Sequence, residues 1–206
     1  MLKPVVEGNP PPLPLPPAGY FWRTLACLAD IIPLLFLGIM VAGLTAGPDE
    51  LAAKEKVNQF EQRFIAQYTK AITHPSEKEQ KVLMDMLLKP DEKDIEAVGT
   101  WYTHQGEVCF LVMLIVLLLQ EALWSGQTIG KKIFNLRTVD FYTQEPPRFL
   151  ACALRSAWKS SFIALANPFT ALLGIINFHV PLFRKDRRAW HDMFTRTYVV
   201  DDKKIS

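Results

Sequence analysis

The sequence predicts an all-α membrane protein with two firm transmembrane helices, a C-terminal apolar helical hairpin or re-entrant segment, a small cytoplasmic two-strand element and a helical extracytoplasmic insertion. Three observations predict it. Hydrophobic residues make up 50% of the 206-residue chain, and they fall into separate blocks instead of one soluble core. Lys and Arg crowd into SGQTIGKKIFNLRTVD and FRKDRRAWHDMFTRT, the pattern of short loops retained in the cytoplasm. A carboxylate, Asp30, stands inside the first apolar block.

Residues 1–18, MLKPVVEGNPPPLPLPPA, are too proline-dense for a continuous apolar run and lack the small-residue cleavage pattern of a signal peptide. They predict a disordered, polyproline-like tail. The first transmembrane helix lies within residues 19–47, where Leu25 to Ala46 carries no charge except Asp30. At about 1.5 Å per residue this run covers about 33 Å, enough for one crossing.

Residues 48–105 are polar and read as an extracytoplasmic helical insertion. Val57, Phe60, Phe64, Tyr68 and Ile72 recur near helical spacing, and EKEQKVLMDMLLK before Pro90 predicts a second short helix that folds back on the first as a cap. The bases Lys54, Lys56, Arg63, Lys70, Lys78, Lys81, Lys89 and Lys93 are outnumbered by acids, so the segment tolerates export.

The second transmembrane helix opens the last region, 106–206, and is placed at residues 103–124. Val108 to Gln120 is apolar between Glu107 and Glu121, and Trp101, Tyr102 and Trp124 bracket it as interface anchors do. Phe149 to Phe183 is too long for one span, and Arg155 and Lys159 interrupt its first half. Basic segments on both sides of the block require an even number of crossings. It is therefore either a hairpin broken near Asn167 and Pro168 or an in-plane helix followed by a re-entrant one; Arg148, Arg155 and Lys159 share a helical face and favour the in-plane version of the first half. LRTVD at 136–140 and TYVVD at 197–201 are β-prone runs that pair if both lie on the same side of the membrane.

Several classes drop out. A formal net charge of +2 gives no reason to expect nucleic acid. Cys27, Cys109 and Cys152 sit in or beside apolar segments and imply neither a disulfide framework nor a metal site. No nucleophile elbow, HExxH pattern or phosphate-binding loop is present, so neither an enzyme nor a cofactor is expected.

Taken together, FWRTLACLAD with Arg23 and Asp30, GQTIGKKIFNLRTVD with Gly126, Thr128, Gly130, Lys131 and Arg137, and the pair His191–Asp192 in RRAWHDMFTRTYVV resemble the RDD family of bacterial membrane proteins. That family is named for one arginine and two aspartates. The resemblance covers about residues 18–46 and 106–202; the tail and the long charged insertion lie outside it. It implies a bacterial inner-membrane protein with a proposed transport role, cation/proton antiport having been ascribed to some members.

The charged positions carry two readings, the leading one a transporter or transporter subunit and the alternative a non-transporting assembly or stress factor. Asp30 follows Arg23 by about two helical turns, so both share a face some 10 Å apart along the axis and direct contact is not expected. A carboxylate inside the hydrocarbon region is costly unless protonated or paired. Pro33 cannot donate to the carbonyl of Ala29, which leaves an oxygen beside Asp30; together they resemble a ligand pair for a monovalent cation exchanged against protons. In the other reading Asp30 pairs with another segment, Pro33 only kinks the helix, and the charges lock helices together while the cap binds a partner. Arg23 is expected to pair with Asp192 or Glu121, or else to snorkel to lipid phosphate. His191 is expected to form interfacial hydrogen bonds and need not cooperate with Asp192. Gly126 and Gly130 read as turn and close-packing positions, and Lys131 and Lys132 as facing anionic headgroups. Two spans hardly enclose a pathway, so transport implies a homo-oligomer within the bilayer. Both termini are expected in the cytoplasm.

Overall fold

The computed structural model describes residues 15–164 and 168–204. It is mostly helical, with α1 at Tyr20–Thr45, α2 at Pro48–Thr73, α3 at Glu77–Leu88, α4 at Glu92–Leu123, α5 at Ile129–Ile133, β1 at Leu136–Asp140, α6 at Phe149–Ala164, α7 at Pro168–Phe183, α8 at Trp190–Phe194 and β2 at Thr197–Asp201. Helices α1 and α4 are long and apolar enough to cross a membrane. Only 28% and 22% of their most apolar windows is buried, whereas a soluble core helix would be covered on most sides.

Two compact units divide the chain. The first comprises residues 1–30, 117–155 and 176–206. Its centre is the antiparallel pair of β1 and β2, with Leu136 opposite Asp201 and Asp140 opposite Thr197, the pairing expected from LRTVD and TYVVD. The expected disorder of 1–18 does not extend to its end: Pro17 bridges Val200, and the Ala18 N–H donates to the Val199 carbonyl at 2.9 Å. Proline tolerates this edge position because its missing N–H faces away from the ladder. Residues 1–14 lie outside the described residues. Ala18, Ala26, Leu136 and Val199 form one small apolar cluster, and Val139, Tyr198 and Val200 a second.

The second unit comprises residues 31–116 and 156–175. The cap is helical as expected, but its last part is not separate from the second span. Helix α4 begins at Glu92, well before the expected start near 103; no proline interrupts it, and Ala97 and Trp101 pack against Ala53 and Val57 of α2, which rewards continued helix. Of the predicted apolar face of α2, Val57 is buried, Phe60 and Phe64 stack at 6.3 Å, and Tyr68 and Ile72 remain exposed. Arg63 pairs with Asp94 at 2.8 Å, and Gln67 donates to Glu79 at 2.7 Å.

The long apolar block is two helices, α6 and α7, each about 24 Å long at 1.5 Å per residue. The predicted break near Asn167 falls at 165–167, outside the described residues, and α7 starts at Pro168, where proline's fixed φ and missing N–H suit a first turn. Arg155 does not face headgroups: it is 1% exposed.

Helices α1 and α4 touch at Gly38, where an added Cβ would stand 2.7 Å from the Cys109 Sγ and 3.0 Å from its Cα. A Cβ on Gly43, in the same helix, would meet nothing within 4 Å. Gly38→Ala is therefore expected to lose about 1–3 kcal/mol by overpacking, while Gly43→Ala gains up to about 1 kcal/mol from helix propensity. Thermal unfolding in detergent reads both, and equal effects would contradict the close approach.

Candidate functional site

The charged residues singled out in the sequence meet in the first unit. The end of α1 that carries Arg23, the last turn of α4 that carries Glu121, the short helices α5 and α8, and both strands each deliver one or two polar side chains. Arg23 takes the partner expected of it: its Nη2 donates to Asp192 Oδ2 at 2.7 Å, and its Nη1 reaches the Arg187 carbonyl. Planar guanidinium and carboxylate match each other's donor and acceptor directions.

Arg155, from α6, is the centre of the cluster. Its Nη1 donates to Asp192 Oδ1 and, at 2.6 Å, to the Thr197 hydroxyl; its Nε reaches Glu121 Oε2 at 3.3 Å. Glu121 is 1% exposed and accepts on its other oxygen from Lys131 Nζ at 2.6 Å. Lys131 also donates to the Thr138 hydroxyl at 2.7 Å and the Gly126 carbonyl at 3.3 Å. Lys131 is thus a buried ion-pair member, not a headgroup contact, because α5 turns it inward while Lys132 stays exposed.

Asp30 joins by neutral donors. The Thr128 hydroxyl gives its proton to Oδ2 at 2.5 Å, and the Gly130 N–H donates to Oδ1 at 2.7 Å. Among the described residues no cation pairs with it, and Arg23 is not its partner, as the axial separation indicated. Thr128 caps α5, accepting from the Lys131 N–H at 3.3 Å. Gly130 is a contact position: an added Cβ would lie 2.1 Å from the Ala26 carbonyl oxygen of α1, so only glycine lets α5 seat here. Gly126, at φ +89°, would put a Cβ 2.2 Å from the Thr138 carbonyl. Pro33 lies inside α1.

His191 and Asp192 lie close together, which adjacent helix positions do not require. His191 Nε2 lies 3.3 Å from Asp192 Oδ1, and its Nδ1 faces the Asn177 side-chain nitrogen at 3.2 Å. Helix α8 is barely one turn long, and Asp192 folds back to accept from the Ala189 N–H at 3.0 Å, so the ordinary angular separation of neighbouring side chains does not apply. Asn177 also accepts from the Trp190 N–H at 3.0 Å, tying α7 to α8.

Thr138, Thr197 and Asn177 went unassigned in the sequence. Arg155 was read only as part of a basic face with Arg148 and Lys159, because helical spacing reports a face and not what covers it. Arg23, Lys131 and Arg155 balance Asp30, Glu121 and Asp192. Burial alone would raise the Asp192 carboxyl; the neighbouring His191, Arg155 and Arg23 outweigh it and hold the group well below the usual carboxylate range. No group of three or more His, Cys, Asp or Glu among the described residues is arranged to hold a metal ion.

Long apolar helices joined at one end by a buried, charge-balanced cluster define a membrane protein. The family model of the RDD family matches residues 17–196, and the chain belongs to that family. No curated protein and no solved structure matches the chain.

Because the Asp192 pKa is depressed on folding, its contribution is complete above the unfolded value of about 3.9 and fades as pH falls toward the folded value. Asp192→Asn is expected to unfold at a lower temperature than the natural chain at pH 7, the gap narrowing below about pH 4. Melting curves across pH read this directly, and a gap constant down to the lowest accessible pH would contradict the ion pairing.

Proposed function

We propose that the chain is a non-transporting membrane protein whose buried charges lock helix ends onto a paired-strand element, leaving the insertion at 48–105 to engage a partner. The observation that carries this reading is the closure of the network. Glu121 and Asp192 each face cations supplied by the protein, and Arg155, 1% exposed, spans the two. A carboxylate that loads and releases an ion must exchange its partners, and here each replacement would strand a buried charge.

A second reading, monovalent cation/proton exchange at Asp30, has one observation in its favour. Asp30 faces only a hydroxyl and an amide among the described residues, and Pro33 cannot bond the Ala29 carbonyl beside it, so oxygen donors of the kind hard cations take are at hand. Exchange would require several copies, since two spans do not enclose a pathway. In both readings the basic segments after α4 and α7 face the cytoplasm of a bacterial inner membrane with both termini, and the insertion faces outward.

Proton movement in proteoliposomes carrying a trapped pH dye, challenged with Na⁺, Li⁺ and K⁺, separates the two. The lock predicts no cation-dependent signal from folded natural protein, and a loss of about 1–3 kcal/mol of stability in Asp30→Asn, whose amide keeps only part of the bonding. A signal present in the natural chain and absent from a well-folded Asp30→Asn would establish exchange instead.

A further inference from the structure

Past the end of α4 the chain turns through Trp124 and Ser125, and the turn borders an open cavity of about 290 Å³ lined by Trp124, Ser125, Gln127, Lys132, Arg137 and Asp202. Its charges are unevenly engaged. Arg137 Nε reaches both oxygens of Asp202, at 3.0 and 3.1 Å, and Gln127 Nε2 donates to the same carboxylate at 3.2 Å. Asp202 is thereby neutralised, while the Arg137 side chain remains 41% exposed. Lys132 pairs with no carboxylate among the described residues. Its Nζ lies 3.7 Å from the centre of the Trp124 ring, which fixes a cation at the cavity wall.

Lys132 and Arg137 against Asp202 leave the lining with a net positive charge. Ser125 adds a hydroxyl, a donor that suits phosphate oxygens once a cation has drawn the group in, while the Gln127 amide is taken up by the Leu136 carbonyl and Asp202. Near the lining residues along the chain, Leu123, Ile129 and Ile133 are 74%, 49% and 60% exposed. Apolar side chains of this size, beside a tryptophan at the end of a membrane-length helix, fit acyl chains better than water.

We infer that this cavity binds a phosphate group, with Lys132 as the pairing cation, Arg137 and Ser125 as directed donors and Trp124 as the wall, and that the apolar rim selects the phosphodiester of an anionic lipid as its source. The inference rests on the membrane placement proposed above. It is independent of the buried network, from which Lys132 and Arg137 are absent.

The test is binding of phosphatidylglycerol, phosphatidylcholine and inorganic phosphate to the full chain in non-ionic detergent, read by native mass spectrometry and by the shift in melting temperature. Phosphatidylglycerol is expected to bind in preference to phosphatidylcholine, and Lys132→Gln to weaken it about fivefold while Lys132→Arg retains it. The Lys132 side chain is exposed and makes no ion pair among the described residues, its Nζ lying over the Trp124 ring, so the melting temperature without ligand should be close to that of the natural chain for both variants. Inorganic phosphate binding that depends on Lys132, with no preference between the two lipids, would keep the phosphate site and overturn the lipid source. If neither ligand responds to Lys132→Gln, the inference is wrong. Detergent removes sidedness from the readout, so labelling of Lys203→Cys on intact cells tests the membrane orientation separately.

Discussion

A guanidinium withdrawn from water is the constraint on which the rest of the first unit depends. Arg155 is buried, and taking such a charge out of water costs several kcal/mol even after relaxation. Carboxylates on both sides and directed hydroxyls offset that cost, and here Glu121, Asp192 and Thr197 supply them. Each partner comes from a different element, so the last turn of α4, helix α8 and strand β2 are held to one point. The buried carboxylates then need further cations, which brings Lys131 to Glu121 and Arg23 to Asp192.

The carboxylate of the first helix, two turns after Arg23, plays a different part. Asp30 organises backbone: it holds the N-terminal turn of α5 through Thr128 and Gly130, and the absence of a Cβ at Gly130 lets that turn rest on the Ala26 carbonyl. With α5 seated, Lys131 points inward and Lys132 outward. One short helix thus connects the buried network to the exposed cationic wall beside Trp124.

Much of this was legible in the sequence where chemistry narrows the choice. Arg23 had few carboxylates within reach of its helix end, and LRTVD and TYVVD read as strands because both are short runs that carry Thr and Val and end in Asp. The two helices long and apolar enough to cross a membrane were legible from length and hydropathy. What was not legible depends on environment. Arg148, Arg155 and Lys159 share a helical spacing that looks like a solvated stripe, yet Arg155 is the most deeply buried cation among the described residues; spacing carries no information about which neighbours cover a face. Lys131 misled for the same reason, since Lys131 and Lys132 are chemically identical and only the seating of α5 separates them. His191 and Asp192 came together because α8 is a single turn, too short for the ordinary angular rule. The start of α4 at Glu92 reflects packing of Trp101 on Val57, a contact between distant residues that no local pattern announces.

The most direct test of the lock is the unfolding free energy of Arg155→Met in mixed micelles, measured beside a neutral triple variant, Arg155→Met with Glu121→Gln and Asp192→Asn. The account predicts that the single substitution costs about 3–5 kcal/mol, because it strands two buried carboxylates, and that the triple variant recovers a large part of that loss. An Arg155→Met protein that unfolds at the same free energy as the natural chain would contradict it.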